Sequence, residues 1–234
     1  MFNLLMTAGL ALAAPAAAAE STVTFRTADG CTIEAVFAAP AKDSYILVNT
    51  HGLGSNRSEW LPLQAAAGER KYGYLSLDLR GHGGSKACGG RSANYRKFTR
   101  ADWAAASRDI EAAALWLQEQ GYAPGRLVYC GASIGANLSL KAAAEGTVKP
   151  AGLILLSPGL DYAGVQSLPY IRSGMLIAAA PTDQHAWKSS LRLRDAAKEK
   201  KFLCDFLDGG LGHGSGMFRK PGFIKALLDW TSGR

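Results

Sequence analysis

Apolar and polar residues alternate in the first stretch beyond residue 20 and then give way to continuous apolar runs separated by helical spacing. Two alternating pieces, Ser21 to Thr27 and Cys31 to Ala39, flank Ala28-Asp29-Gly30, and Asp-Gly between such runs predicts a β-hairpin. Short strand-like segments follow at Tyr45 to Asn49, a continuous apolar run, and at Tyr74 to Asp78, Leu127 to Gly131, Gly152 to Leu156, Met175 to Ala179 and Phe202 to Leu207. Apolar runs of this length without alternation belong to strands covered on both faces. Between them the spacing is helical, over Glu59 to Tyr72, Ala101 to Gln120, Ala136 to Glu145, His185 to Lys200 and Phe223 to Trp230. In the longest of these, Trp103, Ile110, Ala114, Leu115 and Leu117 form an apolar face and Gly121 closes the helix. Strands alternating with helices predict a doubly wound, mostly parallel α/β sheet of about eight strands, with helices on both faces and an N-terminal antiparallel hairpin.

In open sheets of this kind functional residues gather at the carboxyl ends of the strands. Those ends carry His51-Gly52, Gly81-His82-Gly83, Ser133, Asp161, Asp183 and His213. The sharpest signal is Gly131-Ala132-Ser133-Ile134-Gly135, where an apolar strand runs into an Ala/Leu-rich helix with one Ser at the join. A strand-to-helix turn this tight leaves no room for side chains two residues either side of the Ser, and it pushes the hydroxyl outward. A Ser in a turn ordinarily caps a helix. The strand before Ser133 and the helix after it are what favour a nucleophile.

Composition narrows the picture. The 234 residues suffice for one sizeable core, and nothing reads as a linker, so residues 20–234 are expected to form one domain. Met1 to Ala19 carries no charged side chain; its apolar run Leu4 to Ala14 and its small residues at Ala17-Ala18-Ala19 predict a cleaved secretory signal peptide, although Met1-Phe2-Asn3 lacks a basic residue. That run is short of the roughly 20 apolar residues a membrane span needs. The expectation is export to a periplasmic or extracellular space without stable membrane insertion. The formal net charge of +7 is scattered, its tightest run Lys198-Glu199-Lys200-Lys201 is broken by an acid, and no nucleic-acid partner is expected. Cys31, Cys88, Cys130 and Cys204 lack Cys-x-x-Cys spacing, which argues against zinc, and export would permit disulfides whose pairing stays open.

A serine hydroxyl needs a base to take its proton during attack. Of the four histidines, His51 and His82 lie in glycine-flanked turns and His185 starts a helix beside Trp187. His213 stands in Gly209-Gly210-Leu211-Gly212-His213-Gly214-Ser215-Gly216, a loop poor in side chains after the last strand, from which an imidazole can reach across to a serine.

Taken together, His51-Gly52-Leu53-Gly54, Asp78-Leu79-Arg80-Gly81-His82-Gly83-Gly84-Ser85, Gly131 to Gly135, Asp183 and His213 follow successive strands, and in this order they resemble the α/β-hydrolase superfamily. The likeness spans about Tyr45 to the C-terminus and is nearest to compact dienelactone-hydrolase-like and esterase-like members without a lid domain. Dienelactone hydrolases use a Cys nucleophile where this chain has Ser133, which moves the analogy toward serine esterases. The resemblance implies a Ser133, Asp183, His213 triad in the family's chain order, with Asp161 as the rival acid. It also implies an oxyanion hole of the Leu53 and Ile134 backbone N–H groups, structural roles for Arg80 and His82, and no cofactor or metal.

The implied function is hydrolysis of a small-molecule carboxylic ester through an acyl-enzyme. Peptidase, amidase and acyltransferase chemistry on the same triad remain open, as does a non-catalytic binding protein of the same fold. The interval Ser157 to Ser173 is short and broken by Pro158, Gly159, Gly164 and Pro169. An open site for short, soluble esters follows, unless Ser85 to Thr99, with Tyr95 and Phe98, supplies a flap.

Overall fold

The computed structural model describes residues 19–234. The signal-peptide expectation, Ala19 apart, lies outside the described residues. In chain order the elements are β1 (Ser21–Arg26), β2 (Cys31–Ala38), β3 (Ile46–Thr50), α1 (Leu61–Glu69), β4 (Gly73–Leu77), β5 (Ala87–Cys88), β6 (Arg91–Ser92), α2 (Arg100–Ala105), α3 (Ser107–Glu119), β7 (Leu127–Ala132), α4 (Ile134–Glu145), β8 (Gly152–Leu156), β9 (Asp161–Tyr162), β10 (Val165–Gln166), β11 (Met175–Ala179), α5 (Gln184–Glu199), β12 (Cys204–Asp208) and α6 (Phe223–Ser232).

Ten strands form one sheet in the order β12-β11-β8-β7-β3-β4-β2-β5-β6, with β1 paired to β2. The six strand-like segments form the parallel block β4-β3-β7-β8-β11-β12, and the alternating pieces are the antiparallel β1–β2 hairpin. The two strands beyond the expected eight, β5 and β6, are two-residue pieces at the edge, too short to show a period. The interval after β8 folds into the separate β9–β10 hairpin and a 3-10 turn at Leu168–Tyr170, and it carries no helical cap.

Successive residues of the central strands point to opposite faces, so they divide between two cores. Ile46, Val48, Tyr129, Leu153, Leu155 and Ile177 pack with α3, α4 and α5. Leu47, Val128, Cys130, Ile154, Leu156 and Leu176 pack under α1 and α6, with Trp60 and Phe223 as the largest fully buried side chains there. α4 is covered almost all round, with Ile134 to Leu140 buried, so the turn that starts it is held by core packing.

Three helix limits differ from the periodicity. The segment from Glu59 opens as a 3-10 turn, Arg57–Trp60, before α1, because Asn56 caps that turn by accepting from the Ser58 N–H. The long helix breaks at Ala106: a Thr99–Asp102 capping box starts a short α2 that ends there, and α3 starts at Ser107 without a capping side chain. α4 begins at Ile134, directly after Ser133.

Cys31 and Cys88 lie opposite each other in the β2–β5 ladder and form a disulfide. Register decides this pairing. The other two cysteines are free, and burial pushes the Cys130 thiol up.

Candidate active site

β7 delivers Ser133 into a turn with φ 55° and ψ −125°, a conformation costly for a residue with a Cβ. Neighbouring backbone holds it there: the Ser133 N–H donates to the Leu156 carbonyl at 2.8 Å, and the Ala136 N–H donates to the Ser133 carbonyl at 2.9 Å. The flanking glycines have a steric cause. A Cβ on Gly131 would lie 2.3 Å from the Gly135 carbonyl oxygen, and one on Gly135 would lie 2.3 Å from that of Thr50. Only hydrogen at both positions lets strand, helix and the β3 end close up around the serine.

His213 follows β12 in a loop where Gly210, Gly212 and Gly214 all have positive φ. Its Nδ1 is hydrogen-bonded to Asp183 Oδ2 at 2.5 Å. Gly214 brings the loop against the elbow, since a Cβ there would stand 3.2 Å from Ala132 Cβ and 3.8 Å from Ser133 N. Among the described residues, the Ser133 hydroxyl makes no hydrogen bond in this conformation. Asp183 does two jobs: its other oxygen accepts from the Ala186 N–H at 3.3 Å and caps α5. Asp161 is turned elsewhere, accepting from the Gly164 N–H at 2.7 Å inside the β9–β10 hairpin.

The Ile134 N–H belongs to the first turn of α4, where helix geometry leaves donors without partners and the dipole is positive. The Leu53 N–H lies in the loop after β3, next to Gly52, where a Cβ would be 3.4 Å from Ser133 Cβ. Among the described residues neither N–H finds a protein acceptor.

His51 and His82 are buried parts of this wall. His51 Nδ1 donates to the Gly52 carbonyl at 2.7 Å, since its Nε2 accepts the Leu79 N–H at 3.0 Å. Burial holds it neutral, pushed from 6.5 down to about 4. His82 stacks on Tyr95 at 4.0 Å and its pKa is also lowered by burial. Arg80 lies flat between Asp109 and Asp29, bonding both, and fastens the turn after β4 to α3 and to the β1–β2 hairpin.

Three residues at the site were not singled out from sequence. Ser157 Oγ accepts the Gly214 N–H at 2.9 Å and so anchors the His213 loop. Tyr162 lies edge-on to His213 with ring centres 6.4 Å apart; burial and the Asp183 charge push its phenol up to about 12. Glu59 accepts the Gly52 N–H at 3.1 Å. Burial raises its carboxyl above the ordinary value, against hydrogen bonds from Ser55 and Gly52 and the charge of the nearby His213. A single Ser, Tyr or Glu in a loop carries no periodic signal. Among the described residues, no group of three or more His, Cys, Asp or Glu side chains is placed to hold a metal ion.

A serine at a strand-to-helix elbow, a histidine loop after the last strand and a doubly wound sheet define a class, and the sequence matches it: the chain belongs to the alpha/beta hydrolase family, whose model covers residues 46–231. Solved structures share the fold. An esterase of Pyrococcus furiosus superposes with a TM-score of 0.77 at 15% identity, covering 92% of this chain and 91% of that one. A dienelactone hydrolase of Anabaena variabilis gives 0.70 at 17% identity over 93% and 97%. An esterase of Exiguobacterium antarcticum gives 0.69 at 15% identity over 91% and 100%. No curated protein sequence matches the chain.

Proposed function

We propose that this hydrolase is an exported serine carboxylesterase that cleaves short, soluble esters through an acyl-enzyme. Ser133 attacks the carbonyl, His213 takes its proton and later returns it to the leaving alcohol, and Asp183 holds the imidazole in the tautomer with Nδ1–H. The N–H groups of Leu53 and Ile134 stabilise the oxyanion, each typically worth roughly 3 kcal/mol. The observation that carries this reading is the Asp183–His213 hydrogen bond at 2.5 Å, in a loop that Gly214 seats against the Ser133 elbow.

The short-ester preference rests on the open surroundings. Leu53 and Leu211 stand out at 57% and 71% exposure, and the segment after β8 is a hairpin. The alternative flap, Ser85 to Thr99, is fastened to the body by the Cys31–Cys88 disulfide and by Tyr95 against His82, which argues against its opening as a lid. The disulfide also supports export, because such bonds persist in oxidising compartments.

Ser133→Ala is expected to retain the fold, lose labelling by a fluorophosphonate probe and lower p-nitrophenyl acetate hydrolysis by about 10⁴-fold or more. Labelling that persists in this variant sinks the assignment. A rate that climbs steadily from acetyl to dodecanoyl esters sinks the open-site preference. A panel of aminoacyl amides tests the peptidase and amidase alternative.

A further inference from the structure

The loop after β3 presents four consecutive N–H groups, from Gly52 to Ser55, beside the Ser133 elbow. Three of them have acceptors. The Gly52 N–H donates to Glu59 Oε1 at 3.1 Å, the Gly54 N–H to His82 Nε2 at 3.3 Å, and the Ser55 N–H to the Gly52 carbonyl at 3.2 Å. Among the described residues only the N–H between them, that of Leu53, has none. The two side-chain acceptors reach in from different elements, Glu59 from the 3-10 turn before α1 and His82 from the turn after β4, and they grip the residues on either side of Leu53.

Resting on the reading of Ser133 as nucleophile, we propose that Glu59 and His82 are positioning residues that clamp Gly52 and Gly54 and so aim the Leu53 N–H at the oxyanion. Without them the glycines would leave this loop free to rotate its peptides, and Gly54 already has φ 75°. A donor contributes to catalysis only if it is aimed before charge develops.

His82 can accept only through an unprotonated Nε2, so its proton must sit on Nδ1, which donates to the Arg80 carbonyl at 3.0 Å. The ring is wedged between Tyr95 at 4.0 Å and His51 at 4.8 Å and cannot turn to exchange its nitrogens. Glu59 sits where a negative charge opposes a developing oxyanion. Its service is therefore the accepted hydrogen bond, which a neutral carboxyl or an amide oxygen performs as well.

That distinction supplies the test. In E59A the Gly52 N–H loses its acceptor, in E59Q it keeps one, and H82F keeps the stack on Tyr95 while removing the acceptor for Gly54. For E59A and H82F the expectation is a fall in kcat of about 10²-fold with KM little changed, the size expected for a misplacement of order 1 Å. Affinity for a trifluoromethyl ketone, which binds as an oxyanion, should fall in parallel. E59Q should recover most of what E59A loses, with thermal midpoints showing all variants folded. If H82F does not fold, the E59A and E59Q pair decides alone.

An E59A enzyme with wild-type kcat and ketone affinity overturns the proposal. So does an E59Q enzyme as impaired as E59A, because the charge and not the acceptor would then matter. Fluorophosphonate labelling of the wild type separates the two levels. No label on Ser133 removes the underlying serine-hydrolase reading, whereas normal labelling with an innocuous E59A removes the clamp alone.

Discussion

The serine wall and the histidine wall of the site are built in opposite ways. Ser133 rises from a buried strand into a buried helix, flanked by glycines that admit no Cβ and backed by two histidines at most 1% exposed. His213 stands on a loop with three glycines at positive φ, and its side chain is 46% exposed. The first wall is fastened by main-chain hydrogen bonds and packing, the second by a few side-chain ties from Asp183, Ser157 and Thr182. On the proposed reading the nucleophile and oxyanion donors gain from being fixed, since preorganised dipoles need no rearrangement as charge develops. In the proposed mechanism the imidazole serves two partners in turn, the serine and then the leaving group, and a loop with few ties gives it that freedom.

The largest break in this contrast comes from the histidine wall. Asp183→Asn keeps an oxygen to cap α5, so the fold should survive, but it leaves the ring free to adopt the wrong tautomer, and kcat is expected to fall by about 10⁴-fold. Asp161→Asn should retain most activity, since its carboxylate serves the β9–β10 turn. Steady-state kinetics on both variants check this, and an inactive Asp161 variant would move the acid to the wrong loop.

The serine wall should break with acid. His51 has a folded value of about 4 against an ordinary 6.5, so the unfolded chain takes up the proton first. The stability it contributes is complete above 6.5 and is lost as pH falls toward 4, a loss on the order of 3 kcal/mol. Denaturation midpoints across this window for wild type and His51→Asn check it: the wild-type advantage should shrink as the pH drops. An advantage that is constant with pH would contradict a neutral buried His51.

The smallest effect expected is that of Ser157→Ala. It leaves the buried Gly214 N–H without its acceptor and should cost about 1 kcal/mol. Loosening the histidine loop should also lower kcat more than it changes KM. If kcat in this variant is untouched, the loop needs no anchor and the contrast between the walls is sharper than drawn.

Much of this architecture is legible before folding. Mostly apolar runs are the signature of strands covered on both faces; five of the six in the parallel block are buried throughout, and the edge strand β12 is half-exposed. The alternating hairpin, the elbow and the order of Ser133, Asp183 and His213 are likewise local or sequential facts. What escaped sequence reading lacks a period. β5, β6, β9 and β10 are two residues each, and the break at Ala106 has no capping side chain to mark it in the sequence. The choice between Asp183 and Asp161 was open on spacing; in the folded chain one carboxylate turns to His213 and the other to its own hairpin.

By itself, then, the sequence determined the sheet, its two covered faces and the serine elbow, since each depends on residues near one another in the chain and on hydrophobic pattern alone. Tertiary structure decided the partners of isolated polar groups. Glu59 became an acceptor for Gly52, His82 for Gly54 and Ser157 for Gly214, and Cys31 met Cys88 through strand register. Such pairings join residues 7 to 57 positions apart in the chain. They carry no local signature, because a hydrogen-bonding group takes whichever partner the packed core brings within reach.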